Sequence, residues 1–234
     1  MPYRRLPTTD VARLKALHTS VRMEEITGPG TLAYSAEHIH QLRNIIDKLE
    51  GAKHQQNQAR RHQLAFSKEH QTIVIKTRLY LSHFIQVLNL AIIREEIPDS
   101  ARKFYCLETY GNHLPDLRCE TAILEWGEKI IDGETQRMKQ GGIPIMMPGI
   151  ARLKVWYDQF HDGYYVLQTA NKTTERADQK MVEIRKEVDA LLATVWDDIE
   201  KFYQHHSEME RRKLAEAYGV VYVFRRGEIE KAKV

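Results

Sequence analysis

Apolar residues recur at three- and four-residue steps through most of this chain, the period of an α-helix buried on one face. Val11, Leu14, Leu17 and Val21 follow Thr8, Thr9 and Asp10, any of which can cap a helix, and the pattern stops before the TGPG of 27–30. A second helix is expected after Tyr34, with Ser35 as cap and Glu37 and His38 near its third position in a loose capping box. No proline follows until Pro98, and Gly51 is its one weak point, so about 60 residues are expected in a single helix. A third helix is expected from Pro115 to Gly141 and Gly142, and a fourth from Pro148 to about Tyr218. Residues 220–224, VVYVF, are β-branched or aromatic and read as a short strand or an extended segment. Left uncovered they would be an aggregation-prone edge, so Val220, Tyr222 and Phe224 are expected to dock on the helices and to pair with 104–107.

The two long helices share a layout. In the second, Ile39, Leu42, Ile46 and Leu49 form a stripe, 51–63 is nearly all polar, and apolar spacing resumes from Leu64 to Ile93. In the fourth, an aromatic-rich start gives way to polar 168–180, and then Met181, Ile184, Val188, Leu191, Val195, Ile199 and Phe202 follow at coiled-coil steps. The order of elements also repeats, and ARKFYCL (101–107) echoes LAEAYGV (214–220). The expected fold is therefore all-α: two long helices in an antiparallel coiled-coil-like core, two shorter helices, an internal duplication and a short C-terminal extended segment. Its halves are 1–114 and 115–234, forming one continuous structural unit. In the antiparallel register the polar middles meet near 57 and 174, and 39–49 meets 182–192. A parallel arrangement would stretch the 98–114 connector over more than about 50 Å, near its limit. A compact four-helix bundle with broken long helices is the alternative.

Composition sharpens this picture without redirecting it. With 12 Gly and 7 Pro in 234 residues, the chain is too poor in turn formers for an all-β fold. The most apolar run, 84–93, contains Gln86 and Asn89 and falls short of the ~18 residues that a spanning helix needs, so no membrane segment is expected. No apolar leader follows the basic N-terminus. The two cysteines, Cys106 and Cys119, lack metal-site spacing and read as reduced thiols of a cytoplasmic protein. A net charge of +3 implies no partner by itself.

Candidate chemistry is sparse. Glu37 and His40 make one Glu-x-x-His, but a carboxylate-bridged metal pair in a bundle needs two, and no second copy occurs. Phosphate-binding loops, nucleophile elbows and His-Glu-x-x-His are absent, so neither a catalytic site, a metal nor a cofactor is expected. His54, His62 and His70 read as ordinary exposed polar residues. His83 and Asn89 flank an apolar face made by Phe84, Val87, Leu88, Ala91 and Ile92, and Leu90 and Ile93 widen it, so this helix is expected to be covered on several sides. His83 and Asn89 then read as polar-core groups bonded to neighbouring backbone or to the connector after Pro98, ahead of a ligand pocket. Arginine pairs at 4–5, 60–61, 211–212 and 225–226 read as solvated surface, although Arg60 and Arg61 in the basic 53–68 segment could meet phosphates.

LPTTDVARLKAL, HFIQVLNLAIIREEIPDSARKFYCL, LEWGEKIIDGE, GGIPI and YGVVYVFRRGE together resemble a family of uncharacterised helical proteins from Bacteroidetes-type bacteria, from about residue 3 to 228. The resemblance implies the long-helix architecture and no activity. The function expected from the whole is a non-catalytic helical scaffold or protein-interaction protein whose partner is a protein, itself or another. The alternative is a nucleic-acid-associated protein using 53–68.

Overall fold

The computed structural model describes residues 3–28 and 31–223. In chain order these form strand β1 (Tyr3–Arg4), helices α1 (Asp10–Thr27) and α2 (Ala36–Ile93), a 3-10 helix (Asp99–Tyr105), α3 (Glu120–Lys139), α4 (Ile150–Phe202), α5 (Glu208–Ala217) and strand β2 (Tyr222–Val223). The fold is all-α. Phe224, Arg225 and Arg226 lie outside the described residues.

Local chemistry sets the boundaries. Thr9 caps α1, its hydroxyl accepting from the Ala12 amide at 3.2 Å. Ser35 accepts from the His38 amide at 3.4 Å where α2 begins. The third helix starts at Glu120 and not at Pro115, because the Asp116 carboxylate accepts from the Arg118 amide at 2.9 Å and folds 116–118 into a turn. The fourth helix does not reach Tyr218. It ends at Phe202, and α5 restarts behind a capping box in which Ser207 and Glu210 satisfy each other's backbone amides. That break lets Ala215 and Tyr218 turn into the core.

The chain divides into two compact units, residues 1–59 with 174–234 and residues 60–173, so each long helix contributes one half to each unit. In unit 1, Leu17, Leu42, Leu49, Met181, Val188, Leu192 and Trp196 form the core. In unit 2 the core is built from Leu81, Phe84, Ile85, Leu88, Ile123, Ile130, Leu153 and Phe160. The long helices run antiparallel in both. Lys48 faces Glu187 at 3.6 Å and Gln56 donates to Asp178 at 2.6 Å in unit 1. In unit 2 Gln63 donates to Asn171 at 2.8 Å and Thr77 donates to the Trp156 carbonyl at 3.0 Å. This register lies roughly one turn from that expected for 57 and 174.

The C-terminal segment does not pair with 104–107, which sits in and just after the 3-10 helix. β2 pairs antiparallel with β1, Tyr3 opposite Val223 and Arg4 opposite Tyr222, and Val220 and Tyr222 pack against the unit 1 core. The Arg5 amide extends the ladder to the Val221 carbonyl at 2.9 Å. The N-terminal residues win because they reach the C-terminal segment beside α1 within the same unit, where Ser20 holds the Tyr218 carbonyl at 2.9 Å.

The two halves of the chain share details below the level of element order. The succession of buried and exposed positions over residues 11–20 of α1 recurs unchanged over 121–130 of α3. Tyr105 and Tyr218 are both fully buried, and each is followed by a left-handed residue, Cys106 at φ 55 and Gly219 at φ 89. The same backbone bond closes both turns, Leu107 to Arg102 at 3.1 Å and Val220 to Ala215 at 3.3 Å. One surface feature departs from expectation: Leu90 and Ile93 are exposed, so the described residues leave the outer side of α2 in unit 2 uncovered there.

Candidate functional site

The site begins with an oddity of α3. Ile123, Trp126 and Ile130 set its core face at three- and four-residue steps, and the same stripe continues through Glu134 and Arg137. Two charged residues therefore enter the core of unit 2. Glu134 is fully buried and Arg137 nearly so. Their guanidinium–carboxylate bonds run at 2.9–3.0 Å, and Tyr105 completes the group, its hydroxyl donating to Glu134 while accepting from Arg137 Nε at 2.7 Å. Burial, then the Glu134 carboxylate, pushes the Tyr105 phenol well above its usual range. Burial by itself would lower Arg137, but the Tyr105 and Glu134 bonds outweigh it and hold the guanidinium charged. Gly133 makes room for the 3-10 helix, since a Cβ there would collide with the Phe104 carbonyl and lie 2.7 Å from the Tyr105 ring.

This network reaches outward to the connector between α3 and α4. Arg137 Nη2 donates to the Ile143 carbonyl at 2.7 Å, and the Ile145 amide donates to Glu134 Oε1 at 3.0 Å. Gly141, at φ 89, supplies the left-handed turn that starts the loop, and a short bridge between Met146 and Gly149 closes it. The loop is thus fastened at two backbone points, with Ile145 turned into the core. The neighbouring side chains go the other way: Ile143 is 82% exposed, Met146 79% and Met147 81%. Three large apolar side chains thus stand exposed within five residues, on a loop whose backbone is held from beneath.

A second buried cation orders the preceding connector. Arg102 donates to Asp99 at 2.8 Å, to Asn89 Oδ1 at 2.5 Å, to Asn112 Oδ1 at 2.7 Å and to the Gly111 carbonyl, while Asn89 Nδ2 donates to the Asn112 carbonyl at 3.2 Å. Asn89 therefore sits in a buried polar hub that ties α2 to the connector after Pro98. His83 does not join it; it lies exposed on another side of α2. Arg60 and Arg61 are exposed on α2, away from Asn89 in sequence and in surroundings. His70 is not an exposed polar residue. It is buried on the core face one turn before Val74, stacked on Phe160, with Nε2 at 3.1 Å from Glu120. Gly163 of α4 leaves the space for it, since a Cβ there would stand 2.7 Å from His70 Nδ1.

A groove of about 480 Å³ between α3 and α4 is lined by Glu125, Glu128, Tyr157, Asp158, His161 and Tyr165, among others. Its acids are partly engaged, Glu125 pairing with Lys129 at 2.5 Å. Tyr157 donates to the Leu124 carbonyl at 3.0 Å, and burial, with the nearby carboxylates, pushes its phenol up to about 12, so it serves as a donor rather than a base. Among the described residues no three or more His, Cys, Asp or Glu side chains gather in a way that could hold a metal ion. No helix of the described residues is long and apolar enough to cross a membrane.

Glu134, Arg137, Tyr105 and the exposed loop are absent from the residues singled out by sequence. The signal was present in two places: a charged pair continuing an apolar stripe, and four bulky apolar residues between Gly and Pro in GGIPIMMPG, where no helical period can bury them. The chain matches no protein-family model, no curated protein and no solved structure.

Proposed function

We propose that this chain is a non-catalytic helical scaffold that docks a protein partner through the loop between α3 and α4. The observation that carries the reading is the contrast within that loop: backbone bonded to a buried ion pair, side chains of Ile143, Met146 and Met147 in water. Fixing a loop before binding removes the ordering penalty that association otherwise incurs. Methionine, unbranched and polarizable, suits a surface that receives another apolar surface. The loop offers no acid, base or nucleophile of its own, which supports binding over chemistry. It also lacks the Lys, Arg, Trp and Tyr that anchor a segment in a lipid headgroup layer, which favours a protein over a membrane surface. Cys106 and Cys119 are free and exposed, in keeping with a reducing, cytoplasmic setting. The resemblance to an uncharacterised helical family is part of this proposal only for the architecture.

The nucleic-acid alternative rests on the exposure of Arg60 and Arg61. Phosphate-driven binding needs several cations acting together and weakens steeply with salt. A gel-shift titration at low and high salt distinguishes the two readings.

The direct test places a photo-crosslinking amino acid at position 146, with exposed Asn57 as the control position, in cells that make the protein. Discrete protein adducts at 146 that vanish when Ile143→Ser and Met147→Ser are added are the expected result. An adduct pattern at 146 no different from that at 57 overturns the reading.

A further inference from the structure

In unit 2, α2 and α4 exchange a crossed pair of contacts. Lys76 of α2 sets its ammonium over the Trp156 ring of α4 at 4.5 Å, and Arg152 of α4 sets its guanidinium over the Tyr80 ring of α2 at 5.8 Å. Between the cations the two rings stack, 6.1 Å apart and 11° from parallel. The arrangement follows from spacing: Lys76 and Tyr80 lie one turn apart on α2, Arg152 and Trp156 one turn apart on α4, and the helices run in opposite directions.

Both cations are exposed, and among the described residues neither has a carboxylate or a carbonyl as partner. Other cations of unit 2 do: Arg102 holds Asp99, Arg118 holds Asp116, Lys129 holds Glu125 and Arg137 holds Glu134. The sequence accounts for the difference. No Asp or Glu occurs in residues 70–94 or 140–157, although the chain has 32 of them in 234 residues. A ring face orients a cation and leaves its charge in place. Residues 140–157 also include the exposed loop. The Arg152 amide donates to the Gly149 carbonyl at 3.0 Å, and Gly149 forms the bridge to Met146, so Arg152 stands one helical turn from where the loop closes.

We infer that the partner taken up by this loop presents an acidic amphipathic segment, with carboxylates on Lys76 and Arg152 and apolar side chains on Met146 and Met147. The inference rests on the docking role proposed above. The planar fork of Arg152 suits a carboxylate, which it can take through two parallel bonds, and Lys76 adds a compact charge beside it. With both cations already resting on rings, less side-chain freedom is lost when a carboxylate arrives. A nucleic-acid strand fits this surface less well. Phosphate-driven binding needs several cations acting together, and Tyr80 and Trp156 already occupy each other instead of offering free faces to bases. A phosphate backbone also brings nothing apolar to cover the methionines.

The test titrates the full chain with two labelled helical peptides of one design, leucine on one face and either glutamate or lysine on the other. An oligothymidylate is the third probe, and each is followed by fluorescence anisotropy at low and high salt. The glutamate peptide should bind best, weaken with salt, and lose about five-fold or more in affinity with Lys76→Gln/Arg152→Gln. Lys76→Arg/Arg152→Lys should keep most of the affinity, and the melting temperature should hold in both variants because the two positions are exposed. In cells, Lys76→Glu/Arg152→Glu should remove the adducts formed at position 146. A glutamate peptide that does not bind, or that binds the glutamine variant equally, would overturn this inference, as would adducts at 146 that survive the charge reversal. Tighter binding of the oligothymidylate through the same two cations would overturn it in favour of a nucleic acid. The docking role itself falls only if the adducts at 146 are no different from those at 57.

Discussion

Tyr218 in unit 1 and Tyr105 in unit 2 occupy equivalent turns, yet their surroundings differ in kind. The Tyr218 carbonyl accepts from Ser20, and the Tyr34 hydroxyl donates to the Ser20 carbonyl at 2.5 Å, so the polar groups beside this core are neutral. Unit 1 buries one cation, Arg13, whose carboxylate partners stay partly exposed. Arg13 holds Asp189 through two bonds of 2.8 Å, and Arg185 holds Asp10 through two of 2.7 Å, clasping α1 to α4 where water still reaches. Tyr105 instead meets Glu134 and Arg137 inside the core, with Arg102 buried nearby. Burying charge is an expensive way to gain stability, and apolar residues of similar volume often do as well or better. What unit 2 obtains is position: its buried charges are the groups that fasten two connectors, one of which presents the exposed loop.

The comparison is broken most sharply by removing one buried partner. Glu134→Ala leaves Arg137 unpaired in the core and is expected to cost ~3–5 kcal/mol, whereas Ser20→Ala in unit 1 should cost about 1 kcal/mol. Urea unfolding of the two variants checks this, and equal shifts would show that the Glu134 network is no different in kind from a neutral bond. Next come the glycines. A Cβ at Gly127 of unit 2 would overlap the Tyr157 ring, so Gly127→Ala should destabilise by about 1–3 kcal/mol. Gly51 of unit 1 meets nothing within 4 Å and lies inside α2, so Gly51→Ala should stabilise by up to ~1 kcal/mol. Melting temperatures that move in the same direction would contradict the packing described for the α3–α4 contact.

The all-α fold and antiparallel helices were legible because one apolar face repeated for dozens of residues admits few arrangements. Even the polar middles meet within a turn of the expected register, through Gln56 with Asp178 and Gln63 with Asn171. The end of α4 was misread for want of a proline, although the Ser207-x-x-Glu210 capping box was in plain view. The start of α3 was misread because an Asp116 side-chain bond competes with helix formation, a contest that apolar period does not register. The candidate site was the least legible part. Asn89 was singled out, but Arg102 and Asn112, which make its hub, were not. Glu134 and Arg137 escape an apolar-period reading because a charged residue is buried only when its partners are in place, and Tyr105 stands 29 residues from Glu134.

The smallest expected effect lies at the rim of unit 1. The Arg185 bond holds the Asp10 carboxyl below its ordinary value of 3.8. A carboxyl with a depressed folded pKa contributes stability that is present above the unfolded value and lost as pH falls through the folded one. Acidification below 3.8 should therefore loosen α1 from α4, while Asp10→Asn at neutral pH should cost no more than about 1 kcal/mol, as partly exposed pairs do. Asp10→Asn should also flatten the acid limb of a stability–pH curve; an unaltered limb would place the acid sensitivity elsewhere.

Amide hydrogen exchange at Ile145 tests most directly whether the buried charges exist to hold the loop. Its N–H donates to Glu134 Oε1 at 3.0 Å, so in the native protein it should be strongly protected although its neighbours Met146 and Met147 stand in water. The variant Glu134→Met/Arg137→Met removes both charges without stranding either, so the fold and the slow exchange of helix amides such as Ile130 should persist. Ile145 alone should then exchange like an unstructured amide. An Ile145 amide that is unprotected in the native protein, or that keeps its full protection in the double variant, would contradict the account.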